Sequence, residues 1–307
     1  MFKKEFIMNT SKITGEFTDE NKGNIYIELI KEASTHLPQD VVDAIKSCKE
    51  KEEPESRAQR AFEIILENID AAYEKKTPLC QDTGSVVFHI EYPLGVSTLK
   101  LKKELTEAVV QATKKGYLRP NSVDSLTGEN SGDNTGDGLP VFFFHESEHS
   151  DIIIDIMLKG GGCENVGAQY SLPYTPLDAG RDITGVKKVI LDAVVQAQGK
   201  GCAPGILGVS IGGDRVTGAL TAKEQIFRPL KDTNNDPVLK NMEEELLNKS
   251  NEMGIGPMGF GGQTTLLGMK IAKMHRIPAS FFVSISYMCW ATRRKRLIIS
   301  KNKYIIE

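Results

Sequence analysis

The chain has 307 residues, 40% of them apolar, and a formal charge of −3 with acidic and basic residues interspersed along its length. That length buries a sizeable core in one large or two modest domains, and the charge balance excludes the basic stripe that nucleic acid demands. No apolar run reaches the roughly eighteen residues that cross a bilayer; the best, 279–291, is short and interrupted by serines, so no membrane role is expected. The first 24 residues lack the apolar core of a signal peptide and the Arg- and Ser-rich composition of a transit peptide, so a cytoplasmic location is expected. Five cysteines, an odd number without a secretion signal, argue against a disulfide framework and for reduced thiols that are buried or bound to metal.

In chain order, residues 1–36 read as a polar N-terminal extension. Apolar residues recurring every three or four then predict helices over 39–50 and 55–75, an amphipathic helical lead-in. A turn, Pro78-Leu-Cys-Gln-Asp-Thr-Gly84, precedes a strand over 85–92, and a helix over 98–115 is stopped by Gly116. The stretch 121–138 is a long polar loop of the kind that carries function or moves. Runs at 141–145 and 152–158 predict an antiparallel strand pair, because their connection is too short for a crossover helix. Helices follow over 182–197, 215–226 and 237–253, strands over 206–211, 264–273 and 280–287, and a basic stretch over 293–303 reads as a solvated edge or partner contact. The order is mixed α/β, within one domain spanning 1–307 that closes on a basic C-terminal tail, 295–307, and no internal repeat or clean linker is visible.

Cys80, Cys202 and Cys289 share a context, since each sits where a regular element gives way to a turn, beside glycine, proline or an aromatic residue. Their long, unequal separations exclude a zinc ribbon or a ferredoxin run. Three thiolates from distant loops suit a 4Fe-4S cluster with one iron left open to a substrate hydroxyl or carboxylate; the plainer alternative is three buried core cysteines. Glycine runs at 160–162, 212–213 and 261–262 offer backbone amides to an anion, or simply turn the chain. Neither a Walker loop nor a dinucleotide fingerprint occurs.

Five motifs carry a resemblance over 39–294: Pro-Leu-Cys-Gln-Asp-Thr-Gly at 78–84, Arg-Pro-Asn-Ser at 119–122, Lys-Gly-Gly-Gly at 159–162, Gly-Val-Ser-Ile-Gly-Gly at 208–213, and Ser-Tyr-Met-Cys-Trp-Ala at 286–291. In these the chain resembles the class I, iron-sulfur fumarate hydratases and L-tartrate dehydratases, specifically the α subunit of their two-subunit forms. The resemblance implies a 4Fe-4S cluster held by Cys80, Cys202 and Cys289, reversible hydration of fumarate to L-malate, and a pocket lined by Gln81, Asp82, Arg119, Gly160, Gly161, Gly162 and His275. Asp82 and His275 are the implied proton carriers, and Arg119 suits a carboxylate fork.

Cys163 stands where the resemblance leads one to expect serine, and reads as an inert residue or a rival thiol. The chain ends at Glu307, soon after Cys289, so a separate β subunit is expected to complete the site. L-tartrate is the alternative four-carbon dicarboxylate. Two readings of other classes are a non-catalytic iron-sulfur or iron-sensing protein, which needs no Asp82, Arg119 or His275, and a scaffold subunit with core cysteines. Cys48, His36, His89, His145 and His149 read as structural.

Overall fold

The computed structural model describes residues 12–307; the beginning of the extension expected over 1–36 lies outside the described residues. The elements run β1 (Ile13–Glu16), α1 (Lys22–Thr35), α2 (Gln39–Lys51), α3 (Arg57–Lys75), β2 (Ser85–Pro93), α4 (Thr98–Lys114), β3 (Val141–Ser147), β4 (Ile152–Lys159) and α5 (Gly161–Asn165). The second half follows as β5 (Ala168–Ser171), α6 (Ile183–Ala197), β6 (Gly205–Ile211), α7 (Arg215–Gln225), α8 (Pro237–Glu252), β7 (Leu266–Lys273), β8 (Phe282–Met288), β9 (Arg293–Ser300) and β10 (Lys303–Ile306). This is the mixed α/β order expected. It folds as two compact units, one taking in 12–33, Val86–Met157 and Arg294–Glu307, the other Ser34–Ser85 and Leu158–Arg293.

The first unit is built on a six-stranded sheet in the order β1-β10-β9-β4-β2-β3. β2 and β3 pair in parallel, Val87 opposite Val141, with α4 in the crossover that parallel pairing requires. The expected β3–β4 hairpin is therefore not formed. β2 lies between the two strands, and the short link 148–151 steps over it, a span of roughly 10 Å that a few extended residues bridge. Helix α1, inside the stretch read as polar extension, buries Tyr26, Leu29 and Ile30 and ties to α4 through Lys22 and Glu104 at 2.7 Å. The basic stretch after Arg293 is no solvated edge: its strand β9 buries Leu297 and Ile299, and Arg296 clasps Asp155 of β4 through two bonds of 2.7 and 2.8 Å. The polar loop 121–138 is held by its own side chains. Buried Asn134 accepts from the Asn121 amide at 2.7 Å and donates to Thr113 Oγ1 at 2.9 Å and the Arg119 carbonyl at 3.0 Å.

The second unit is layered about a four-stranded sheet, β5-β8-β6-β7. β6 pairs parallel to β7 and antiparallel to β8. One face packs Leu207, Val209, Ile285 and Tyr287 against Val186, Val189, Ile190 and Val194 of α6 and Leu239, Met242 and Leu246 of α8; each such side chain contributes ~1.5–3 kcal/mol on burial. The opposite face takes α7 at such close range that a Cβ at Gly208 would lie 2.1 Å from the Ala222 carbonyl oxygen. Asp182 caps α6 by accepting the Gly185 amide at 2.7 Å, and Asp214 caps α7 in a capping box with Thr217. These helices hold the sheet whose ends, with the loops between elements, carry the cysteines.

Candidate functional site

The Cys80 turn starts where α3 stops, at Lys76 in the left-handed conformation. Leu79 is buried and fixed from two sides: its amide donates to the Ser34 carbonyl at 3.0 Å, and its carbonyl accepts from Asn68 Nδ2 at 3.0 Å. That anchoring presents Cys80 half-buried and Gln81 exposed. Asp82 then turns inward, and its Oδ2 accepts the Gly161 amide at 2.7 Å. The turn closes at Gly84, where φ is +73° and a Cβ would sit 2.1 Å from the Lys159 carbonyl oxygen, so only glycine allows this approach. Two distant motifs, 78–84 and 159–162, thus become one structure.

Cys202 itself adopts a left-handed backbone, φ +55°, a conformation that costs a non-glycine residue about 1–2 kcal/mol. Its neighbours explain the constraint. A Cβ at Gly201 would lie 2.5 Å from the Tyr287 ring, and one at Gly205 2.2 Å from it. The buried Tyr287 therefore forms the floor of the Cys202 loop, and the Trp290 amide donates to the Cys202 carbonyl at 3.4 Å, joining that loop to the end of β8. Cys289 follows directly, buried, with its carbonyl accepting from Thr292 Oγ1 at 2.8 Å.

The thiols act on one another. Burial pushes the Cys202 thiol up, and Cys163, Cys80 and Asp82 push it further. The Cys289 amide donates to the Cys163 sulfur at 3.3 Å. Within that pair the hydrogen bond from the Cys289 thiol brings Cys163 down to about 7 against the effect of burial, whereas the same contact and full burial push Cys289 up. The structure therefore gathers Cys80, Cys163, Cys202, Cys289 and Asp82 in the second unit, from two loops, the short helix α5 and the end of a strand. Soft sulfur donors, two of them buried and two half-buried, suit an iron-sulfur cluster.

The remaining residues singled out in the sequence are placed as follows. Gly160 is buried and a Cβ there would meet Asp82 Oδ2 at 2.9 Å, while Gly161 and Gly162 are exposed. His275 is exposed on the loop between β7 and β8, and among the described residues no hydrogen bond joins its ring to Asp82 or the cysteines. Arg119 belongs to the first unit, exposed in the loop after α4. The glycine runs divide by partner. The run at 160–162 gives an amide to Asp82. Next to 261–262, the amides of Gln263 and Thr264 go to the buried Glu52 carboxylate at 2.9 and 3.0 Å. Gly212 and Gly213 donate to the backbone carbonyls of Phe282 and His275, a plain turn.

Two residues at this site were not found from sequence. Arg293, hidden in a basic run, is 1% exposed, and its Nε has no hydrogen-bond partner among the described residues. Its spacing from Cys289, four residues on, was the available signal. Lys159, preceding the glycine run, is buried with its ammonium 2.8 Å from Glu164.

The chain matches the family described as "Fumarate hydratase (Fumerase)" over residues 24–298. It is 52% identical over 278 residues to the "Putative fumarate hydratase class I" of Geobacillus stearothermophilus, covering 90% of this chain and 54% of that protein. It is 36% identical to the "Putative L(+)-tartrate dehydratase subunit alpha" of Methanocaldococcus jannaschii, over 88% of this chain and 95% of that one. With the "L(+)-tartrate dehydratase subunit alpha" of Escherichia coli K12 the identity is 31%, over 87% of this chain and 86% of that one. The chain thus spans about half the length of the first relative and most of the other two. With a match covering most of the chain, the chain belongs to the fumarate hydratase (fumerase) family.

Proposed function

We propose that this chain is the cluster-binding α subunit of a two-subunit hydro-lyase that interconverts fumarate and L-malate. The observation that carries this reading is the gathering of the Cys80, Cys202 and Cys289 sulfurs beside an Asp82 carboxylate held by the Gly161 amide. A merely structural cysteine core has no need of that carboxylate, and neither does an iron-sensing protein. The three cysteines would hold a 4Fe-4S cluster, which supplies, when bound, a Lewis acid for the hydroxyl that leaves or adds.

The chain's own residues supply the rest. Asp82 is oriented by the Gly161 amide so that its carboxylate can take a proton from the substrate carbon next to a carboxylate and return it in the reverse direction. Such a carbon acid is weak, so cationic and amide donors must neutralise the adjacent carboxylate; Arg119 is the guanidinium assigned to that task by its motif. His275, exposed on its loop, is the second candidate for proton handling. A separate β subunit is supported by the relatives named as subunit alpha, which this chain matches along most of their length. Fumarate ranks ahead of L-tartrate because identity is 52% to the class I fumarate hydratase against 36% and 31% to the tartrate dehydratase subunits.

The test is anaerobic reconstitution of the full chain with iron and sulfide, an absorbance scan, and hydration assays with fumarate and dehydration assays with L-tartrate, each with and without the co-expressed β subunit. Visible absorbance together with fumarate turnover that needs the partner is the expected outcome. Turnover of L-tartrate alone replaces the substrate assignment, and a colourless, inert protein beside its partner removes the cluster and the enzyme reading together.

A further inference from the structure

Among the described residues, Arg293, four positions after Cys289, has no counter-charge. Arg293 is 1% exposed, its Nε is buried with no hydrogen-bond partner, and no carboxylate among the described residues pairs with its guanidinium. Its backbone is held by a tight turn in which the Thr292 amide donates to the Trp290 carbonyl and the Arg293 amide to the Ala291 carbonyl, both at 2.9 Å. That turn carries the side chain back past Gly160, whose Cβ position would lie 3.8 Å from Arg293 Nη2. The positive charge is felt by the Cys163 and Cys289 thiols alike. The Asp82 carboxylate lies on the same glycine, its Oδ2 2.9 Å from the Gly160 Cβ position, and that oxygen accepts the Gly161 amide at 2.7 Å.

A guanidinium cannot shed its proton to escape burial, and a buried unpaired ion carries a heavy desolvation penalty. The missing anion must therefore be a resident of the working protein. A substrate carboxylate leaves after every turnover and would strand the cation each time. A cluster with three thiolate ligands is permanent and carries a net negative charge. We propose that Arg293 is the built-in counter-charge for the cluster and its cysteine thiolates, a positioning residue that secures the cluster rather than one that reacts. The inference rests on the cluster reading above.

Its test uses the full chain in three forms: wild type, Arg293→Met, which keeps the reach and loses the charge, and Arg293→Lys, which keeps the charge. Each is taken through thermal unfolding before reconstitution, then iron and acid-labile sulfide analysis, then the rate of iron loss to a ferrous chelator. Without cluster, Arg293→Met is expected to unfold at the same temperature as wild type or higher, since an unpaired buried charge has been removed. With cluster, it is expected to lose iron roughly tenfold faster, the equivalent of about 1.4 kcal/mol, while Arg293→Lys stays near wild type. That reversal of sign is one a purely structural arginine does not give. If cluster-free Arg293→Met unfolds well below wild type, the arginine has an internal structural role and the proposal falls. If Arg293→Met holds its iron as wild type does while KM for fumarate rises, the anion is the substrate carboxylate and the proposal falls while the cluster reading stands. If wild type itself takes up no iron and sulfide, the cluster reading fails and the proposal with it.

Discussion

The Gly161 amide and the Asp82 carboxylate meet at 2.7 Å across 79 positions of sequence. The contact exists because Gly84 lets the Cys80 turn lie directly on the Lys159–Gly160 backbone, and because Gly160 has no side chain to displace Oδ2. The main chain thereby orients the Asp82 carboxylate. If it moves the proton, Asp82→Asn keeps the amide contact through its Oδ1 and keeps the fold and the cluster, but lowers turnover by about 10²–10⁴-fold. Turnover normalised to iron content checks this; an Asn variant of undiminished turnover takes Asp82 out of the proton path.

The same approach predicts a stability effect. Gly84→Ala places a Cβ 2.1 Å from the Lys159 carbonyl oxygen at a φ of +73°, so the turn must pull away from the glycine run. A loss of about 3 kcal/mol or more is expected, with cluster uptake failing in step. Thermal unfolding alongside iron analysis reads both, and an Ala variant that unfolds as wild type does would refute the close approach.

What the sequence disclosed and what it hid have physical causes. Helices α3, α6 and α8 were legible because their apolar stripes repeat at helical spacing and Ser56, Asp182 and Asp236 stand at their N-caps. Strands β6, β7 and β8 showed as short apolar runs. The pairing of β3 was not legible, since register is decided by which strand lies between two others and not by the length of the loop joining them. The two units escaped notice because each is assembled from separate stretches of chain, leaving no linker to read. At the site, the cysteines announced themselves by residue type, whereas Arg293 was disguised by its basic neighbours; whether a cation in such a run is solvated or buried depends on its strand's partners.

Cys163 and Cys289 form the next expectation. The Cys289 amide lies 3.3 Å from the Cys163 sulfur, and each thiol shifts the acidity of the other. In cluster-free protein, peroxide should take one hydrogen from each thiol and join the sulfurs as a disulfide, peroxide being reduced to water. Mass spectrometry of peptides after blocking free thiols should find the Cys163–Cys289 link in wild type and none in Cys163→Ser, which still folds because serine fits a position already filled by a small side chain. Peroxide treatment that yields only sulfenic or sulfinic acid at Cys163 would contradict the pairing.

Glu52 holds the second glycine-rich loop in place of an external anion. The side chain is buried, and its oxygens accept the Gln263 and Thr264 amides at 2.9 and 3.0 Å. Glu52→Ala leaves both amides without an acceptor, at a cost of about 2–4 kcal/mol, whereas Glu52→Gln keeps one carbonyl acceptor and should lose roughly half as much. Chemical denaturation of the three proteins orders them; equal stability of the Ala and wild-type chains would mean that water replaces the carboxylate at no cost.

Asp232 supplies the pH dependence. Burial pushes its carboxyl up, but the hydrogen bonds from Arg228 at 2.7 Å and Lys270 at 3.0 Å outweigh burial and hold it below the usual carboxylate range. A carboxyl whose folded value lies below its unfolded one adds stability above the unfolded value, about 3.9, and that contribution is lost as pH falls through the folded value. The group is part-exposed, so solvent screening limits the gain to about 1 kcal/mol. Asp232→Asn should therefore be less stable than wild type by that amount at pH 7, and the gap should narrow as pH drops below about 4. Unfolding curves for the two proteins at both pH values test the sign: a gap that widens in acid would mean that the carboxyl is raised, with burial prevailing over its two cationic partners.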